Sequence, residues 1–89
     1  GKENPVPRFV CYGLKVLGLD VLGKDKKHLR LMVGDDSGLM RKAIAFSFGY
    51  MSRQLKINDR VDVVFEIDVN EWNGNRELQL KVVDMRAAL

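Results

Sequence analysis

Apolar and polar residues alternate along most of this chain, and a period of two is the signature of strands with one buried face. The pattern is clearest from Arg60 to Arg86, where two alternating runs flank Asn73-Gly74. Asn-Gly between such runs predicts a two-residue hairpin, because both turn positions need positive φ. That turn sets Trp72 opposite Asn75, then Val69 against Leu78, Ile67 against Leu80 and Phe65 against Val82, the last three pairs all apolar. The same register sets Glu71 against Arg76 and Glu66 against Lys81, opposite charges that support cross-strand pairing. A slip of one residue would destroy both patterns, so the register is well determined.

Upstream, Phe9 to Leu22 is a long apolar stretch in which Leu14 and Val16 share one phase and Leu19 and Val21 the other. The switch at Gly18 predicts a β-bulge, which lets one strand bend between two sheets. After a polar loop, Gly23 to Lys27, alternation resumes from His28 to Val33, with Leu29, Leu31 and Val33 inward and His28, Arg30 and Met32 outward. Asp35-Asp36-Ser37-Gly38 is turn chemistry. Met40 to Phe48 reads as a third strand, with Ile44, Phe46 and Phe48 inward and Arg41, Ala43, Ala45 and Ser47 outward. Gly49 to Ile57 predicts one or two turns of helix, and Lys56 to Asp59 turns the chain into the hairpin. The first eight residues hold both prolines, Pro5 and Pro7, and read as an extended linker from an upstream domain, with residues 9–89 as one domain. The expected class is all-β: a five-stranded Greek-key OB-fold barrel with a short helix between strands three and four. An SH3-like barrel is the competing arrangement, although it seldom carries a helix at this place.

Composition narrows the partners more than the fold. Eighty-nine residues are enough for one core and too few for two. At 46% hydrophobic and 30% charged, the chain is that of a globular protein rather than a disordered one. No apolar run reaches the ~18 residues of a membrane span, and no charged-then-apolar leader opens the chain. The lone Cys11 cannot bridge within the chain, so a cytoplasmic location without a membrane partner is expected. The net charge of +3 leans only weakly towards an anionic partner, but its distribution says more. Lys24, Lys26, Lys27 and Arg30 against Asp25 make residues 24–30 net +3, whereas Asp59, Asp62, Glu66, Asp68 and Glu71 against Arg60 make residues 59–71 net −4. A polyanion would be steered to the first segment and away from the second.

Enzymatic chemistry finds little to use. Cys11 and His28 lie in different strands, and Gly-x-Ser-x-Gly, His-Glu-x-x-His and phosphate-loop motifs are lacking. Asp68 to Trp72 begins like a calcium loop but has Trp at the fifth position and Asn73 where the sharp-turn Gly belongs. The functional candidates are therefore the cations Lys24, Lys26, Lys27, His28, Arg30, Arg41 and Lys42. Lysines also serve simply to keep a strand edge solvated and unpaired. In an OB-fold, however, the loop after strand one and the outward face of strands two and three bind oligonucleotides. Arg30, Met32, Arg41, Ala43, Ala45 and Ser47 would line that face, while Lys42 shares the phase of Ile44 and must escape at the strand end. With Phe46 and Phe48 assigned inward, stacking aromatics are scarce, and Trp72 and Tyr50 are the exposed candidates. Trp72 at the hairpin tip either caps the barrel end or, with Arg76, forms a stacking and phosphate-contact pair. The alternative is a protein-interaction module with Met32, Val64 and Trp72 in its contact surface.

The stretches Asn4-Pro5-Val6-Pro7-Arg8-Phe9, Ala43-Ile44-Ala45-Phe46, Asp59-Arg60-Val61-Asp62-Val63, Asn70-Glu71-Trp72-Asn73-Gly74 and Leu78-Gln79-Leu80 resemble the C-terminal OB domain of the RecJ family of single-strand-specific exonucleases. The resemblance implies a fragment of a longer 5′→3′ single-stranded-DNA exonuclease of DNA repair and recombination, whose catalytic domains use Mn²⁺ or Mg²⁺. Those catalytic domains have no counterpart in this sequence, so none of its residues inherits a catalytic, metal or cofactor role. The resemblance further implies that this domain contacts single-stranded DNA and the catalytic domains of the same parent chain.

Overall fold

The computed structural model describes residues 5–88. Five strands, β1 (Phe9–Leu22), β2 (His28–Gly34), β3 (Met40–Ala45), β4 (Arg60–Trp72) and β5 (Asn75–Ala87), close into a barrel in the order β1-β2-β3-β5-β4. Four of the pairings, including β4 back onto β1, are antiparallel, and only β3 with β5 is parallel. This is the Greek-key OB-fold. The expected helix is reduced to a 3₁₀ turn over Gly49–Arg53. A second 3₁₀ turn, Lys24–Lys26, sits in the β1–β2 loop. Of the proline-bearing lead-in, residues 1–4 lie outside the described residues, and 5–8 have no regular structure, with Arg8 Nε 3.2 Å from Glu66 on β4.

The hairpin forms in the expected register, Trp72 with Asn75 through Phe65 with Val82. Asn73 and Gly74 have φ of 48° and 78°, as the turn requires. Beyond Phe65 the register shifts: Val64 pairs with Asp84, leaving Val83 as a bulge. In β1 the bulge falls between Val16 and Gly18, and it divides the labour of the strand. Phe9 to Lys15 pair with β4 and Lys15 to Leu22 pair with β2, the two seams overlapping just before the bulge, so one long strand closes both.

The phase of β3 is the opposite of the expected one. Leu29, Leu31 and Val33 point into the core and face Ala45, Ala43 and Arg41 respectively, so the alanines are the inward residues, 0% and 2% exposed. Lys42, Ile44 and Phe46 take the outward phase, although Ile44 is still buried at 7% exposed; β3 ends at Ala45, short of Phe48, which packs against the core as expected. The physical cause is volume. The interior beside β3 is filled by Leu29 and Leu31 on one side and by Leu80, the register partner of Ala43, on the other. A narrow barrel accommodates such layers by setting small residues against large ones.

The core is completed by Leu14, Val16, Val61, Val63, Phe65, Val82 and Met85, with Met51 and Leu55 from the segment around the 3₁₀ turn packed against it. The apolar pairing of the hairpin outlasts the barrel. β3 covers β5 only over Gln79–Lys81 and β1 covers β4 only up to Phe65, so the ribbon beyond them is two-stranded. There Ile67, Val69 and Leu78 are exposed, although they continue the row that is inward lower down.

Candidate nucleic-acid interface

The outward face of β2 and β3 carries His28, Arg30 and Met32 beside Lys42 and the buried Ile44, with Phe46 just past the end of β3. Reversing the phase of β3 changes its chemistry. Small residues and Arg41 leave the face, and a phenyl ring 50% exposed joins it. Phe46 meets the His28 ring edge-on, with centroids 5.2 Å apart at 74°. His28 is fixed in turn: its Nδ1 accepts the backbone N–H of Ser47 at 3.0 Å, so the neutral ring carries its proton on Nε2. Its ring also packs on Gly23, whose φ of 86° suits glycine.

The cations of this face are already occupied. Arg30 Nη2 lies 2.8 Å from Asp20 Oδ2, its register partner on β1. Lys42 Nζ lies 3.0 Å from Glu77 Oε2 on β5. Both pairs are exposed, where such a bridge contributes at most about 1 kcal/mol, so a phosphate could take the place of the carboxylate.

At one end of the face the β1–β2 loop meets the 3₁₀ turn. The Gly49 N–H donates to the Lys27 carbonyl at 2.9 Å, drawing the two segments together. The result is an open cavity of about 800 Å³ lined by Lys26, Lys27, Ser47, Tyr50, Ser52 and Arg53, among others. Tyr50 is 61% exposed and stacks at 6.0 Å on Phe48, which anchors its ring to the core. Among the described residues, Lys24, Lys26, Lys27 and Arg53 have no carboxylate in ion-pair range. Arg53 was not among the sequence candidates. The one signal for it is the i, i+3 spacing from Tyr50, which places both on one side of a helical turn.

At the other end, Arg41, Lys42 and Arg76 line a groove of about 390 Å³ with Met32, Met40 and Leu78. Arg41 reaches it from the inward phase of β3, at the strand's start. Arg76 is held 3.2 Å from Glu71. Trp72 is 56% exposed beyond the barrel, so it does not cap the barrel end. It occupies the opposite face of the ribbon from Arg76, although both border a groove at the tip. The candidate cations thus divide into a loop cluster, a carboxylate-paired middle and a hairpin-side group. Among the described residues, no three His, Cys, Asp or Glu side chains gather as a metal-binding group, and no helix is long and apolar enough to cross a membrane.

The sequence profile of the RecJ OB domain matches residues 1–84. This chain belongs to that family. The chain is 24% identical over 84 residues to the single-stranded-DNA-specific exonuclease RecJ of Bacillus subtilis and 30% identical over 86 residues to that of Haemophilus influenzae. These matches take in 94% and 92% of the chain but only 11% and 14% of the two relatives. Solved structures similar to this RecJ OB domain include the single-stranded-DNA-binding domain of a Synechococcus protein (TM-score 0.71, 11% identity, 94% of this chain and 98% of that one). A mitochondrial single-stranded-DNA-binding protein of Saccharomyces cerevisiae is also similar (TM-score 0.70, 9% identity, 93% and 96%). At such identities the likeness is one of fold.

Proposed function

We propose that this RecJ OB domain is a single-stranded-DNA-binding accessory domain, which guides the strand towards catalytic domains elsewhere in a longer 5′→3′ exonuclease. The observation that carries the reading is the meeting of Lys26, Lys27 and Arg53 with the exposed ring of Tyr50 at one end of the β2–β3 face. Among the described residues those three cations have no carboxylate in ion-pair range, and Phe46 stands exposed on His28 nearby. Single-strand binding combines a cationic track for the backbone with aromatic platforms for bases. The strand would run from this end across Arg30 and Lys42 towards Arg41, Arg76 and Trp72. Being held mainly through phosphates, it would be bound with little regard to sequence. The names of the RecJ relatives and of the structural neighbours support the ligand. Hydrolysis and its Mn²⁺ or Mg²⁺ belong to the catalytic domains of the parent chain, and the residues described here bind and orient.

Fluorescence anisotropy of a labelled oligothymidylate tests the reading. With three or four phosphate contacts, log K should fall with log salt at a slope of about −2 to −3. Lys26→Glu combined with Lys27→Glu should weaken binding at low salt by at least about tenfold, since each like charge placed near phosphate both removes a contact and repels. A chain that binds no oligonucleotide at low salt, or binds it with a flat salt response, would defeat the proposal.

The exposed row Ile67, Val69 and Leu78 favours a second role alongside the first, as the surface that packs on the parent's other domains. Of the set expected from sequence, Met32 and Val64 are half-buried and Trp72 alone is exposed.

A further inference from the structure

We infer that the cavity between the 3₁₀ turn and the β1–β2 loop is a single-nucleotide clamp, in which one base stacks on Tyr50 and its phosphate is held by Lys26, Lys27 and Arg53. The inference rests on the proposed single-stranded-DNA reading and says where on the domain the grip is concentrated. Three observations carry it.

The first is the contrast in charge pairing. On the sheet, a phosphate reaching Arg30 or Lys42 must displace Asp20 or Glu77, which lie 2.8 and 3.0 Å away. In the cavity only Asp25 opposes three cations, and none of the three is within ion-pair distance of it. Displacing a carboxylate cancels most of what a new phosphate contact contributes, whereas an unpaired cation contributes it in full.

The second is the platform. Tyr50 is backed by Phe48, which packs against the core, so its ring is pre-positioned and loses little freedom when a base covers it. By comparison Trp72, another large exposed ring near a cation, stands on a two-stranded ribbon outside the barrel, and Tyr12 borders its groove with Arg86 but also with Asp62 and Asp84.

The third is size and lining. The cavity, at about 800 Å³, is within the range of small-ligand sites, and the hydroxyls of Ser47 and Ser52 on its wall add donors for a phosphate or a base edge. The sheet between the clamp and the hairpin then serves as a weakly binding surface over which the rest of the strand lies.

The experiment uses the 89-residue chain and an oligothymidylate of about a dozen nucleotides, within the ~4–16 nucleotides that one OB barrel covers. Tyr50→Ala and Arg53→Ala should each weaken binding about tenfold, while Tyr50→Phe retains it, as expected of base stacking. Arg30→Ala and Lys42→Ala should weaken it less, by about two- to threefold, as expected of cations that must first leave a carboxylate. In amide-resolved NMR, thymidine 5′-monophosphate alone should shift Lys26, Lys27 and the Gly49–Arg53 amides and leave β3 unmoved. Dispersed amide spectra of each variant establish that it is folded. Losses at Arg30 and Lys42 equal to those at Tyr50 and Arg53, or a harmless Tyr50→Ala, would overturn the clamp and leave the proposed function standing. Absence of binding by the unaltered chain would overturn both.

Discussion

Gly49→Ala is the most searching single substitution available in this barrel. Gly49 is buried, and its Cα faces the backbone of the β1–β2 loop so closely that an added methyl group would collide with the Lys26 carbonyl oxygen and come within 2.7 Å of the Lys27 carbonyl carbon. Neither obstacle is a side-chain tip that can swing away. The loop must retreat, and the 2.9 Å hydrogen bond from Gly49 to Lys27 is strained or lost with it. Overpacking of this kind costs about 1–3 kcal/mol, and a lost backbone hydrogen bond about 1 kcal/mol more. A total of about 2–4 kcal/mol lowers the melting temperature of a domain this size by at least roughly 8–16 °C. Because the same contact brings Lys26 and Lys27 up to Tyr50 and Arg53, oligonucleotide affinity measured well below the melting transition should also fall, by about tenfold if one base-stacking platform is uncoupled. Differential scanning fluorimetry and anisotropy titration provide the two numbers. A variant that melts within about 2 °C of the parent and binds equally well would refute both the close approach and its role, since 1 kcal/mol alone moves Tm by ~4–8 °C.

Four further outcomes are expected. Ala45→Leu, which overfills the core, should destabilise the chain by about 1–3 kcal/mol, whereas Phe46→Ala should leave urea stability nearly unchanged and reduce oligonucleotide affinity; the opposite result would restore the other phase for β3. Asp62 accepts the Gly13 N–H at 2.9 Å and Arg86 Nε at 3.0 Å, and the Gly13 N–H first, then Arg86, holds its carboxyl below the ordinary 3.8 despite burial. A depressed folded-state value means stability that is fully present above about pH 4 and is lost as pH falls through the folded value, so Asp62→Asn should flatten the acid limb of a Tm-against-pH curve. Asp35 is lowered in the same direction, chiefly by the Ser37 hydroxyl at 2.6 Å, and Ser37→Ala should raise its NMR-titrated pKa. Gly74→Val, which forces a branched residue to φ near 78°, should cost about 1–2 kcal/mol while leaving thymidine monophosphate binding intact.

The hairpin is legible in the sequence down to its register because its information is local: a turn pair that needs positive φ, and two runs whose apolar and charged partners all match at once. The bulge near Gly18 is legible for the same reason, as a change of phase within one strand. The phase of β3 is not, because it depends on volume contributed by Leu29, Leu31 and Leu80 from other strands. Placing the larger residues of Ala43-Ile44-Ala45-Phe46 inward follows the usual rule and gets this strand backwards. The site was half legible. Lys26 and Lys27 stand out by charge, but nothing along the chain says that Tyr50 and Arg53 will stand across from them. That follows from a glycine whose missing side chain lets two distant backbones touch. The exposure of Ile67, Val69 and Leu78 is likewise set by where β1 and β3 stop covering the ribbon, which is a property of the neighbours.

The parallel seam between β3 and β5 closes the barrel over three register pairs, Lys42 with Gln79, Ala43 with Leu80 and Ile44 with Lys81. It joins the middle of the chain to its end, so in folding it must follow the local hairpin, whose loop costs far less entropy to close. A seam of only three pairs is among the first that can open without global unfolding. Hydrogen exchange at the seam should therefore be faster than at β1–β2, and the edge of the β2–β3 face can yield as a strand moves across it without disturbing the core on its far side.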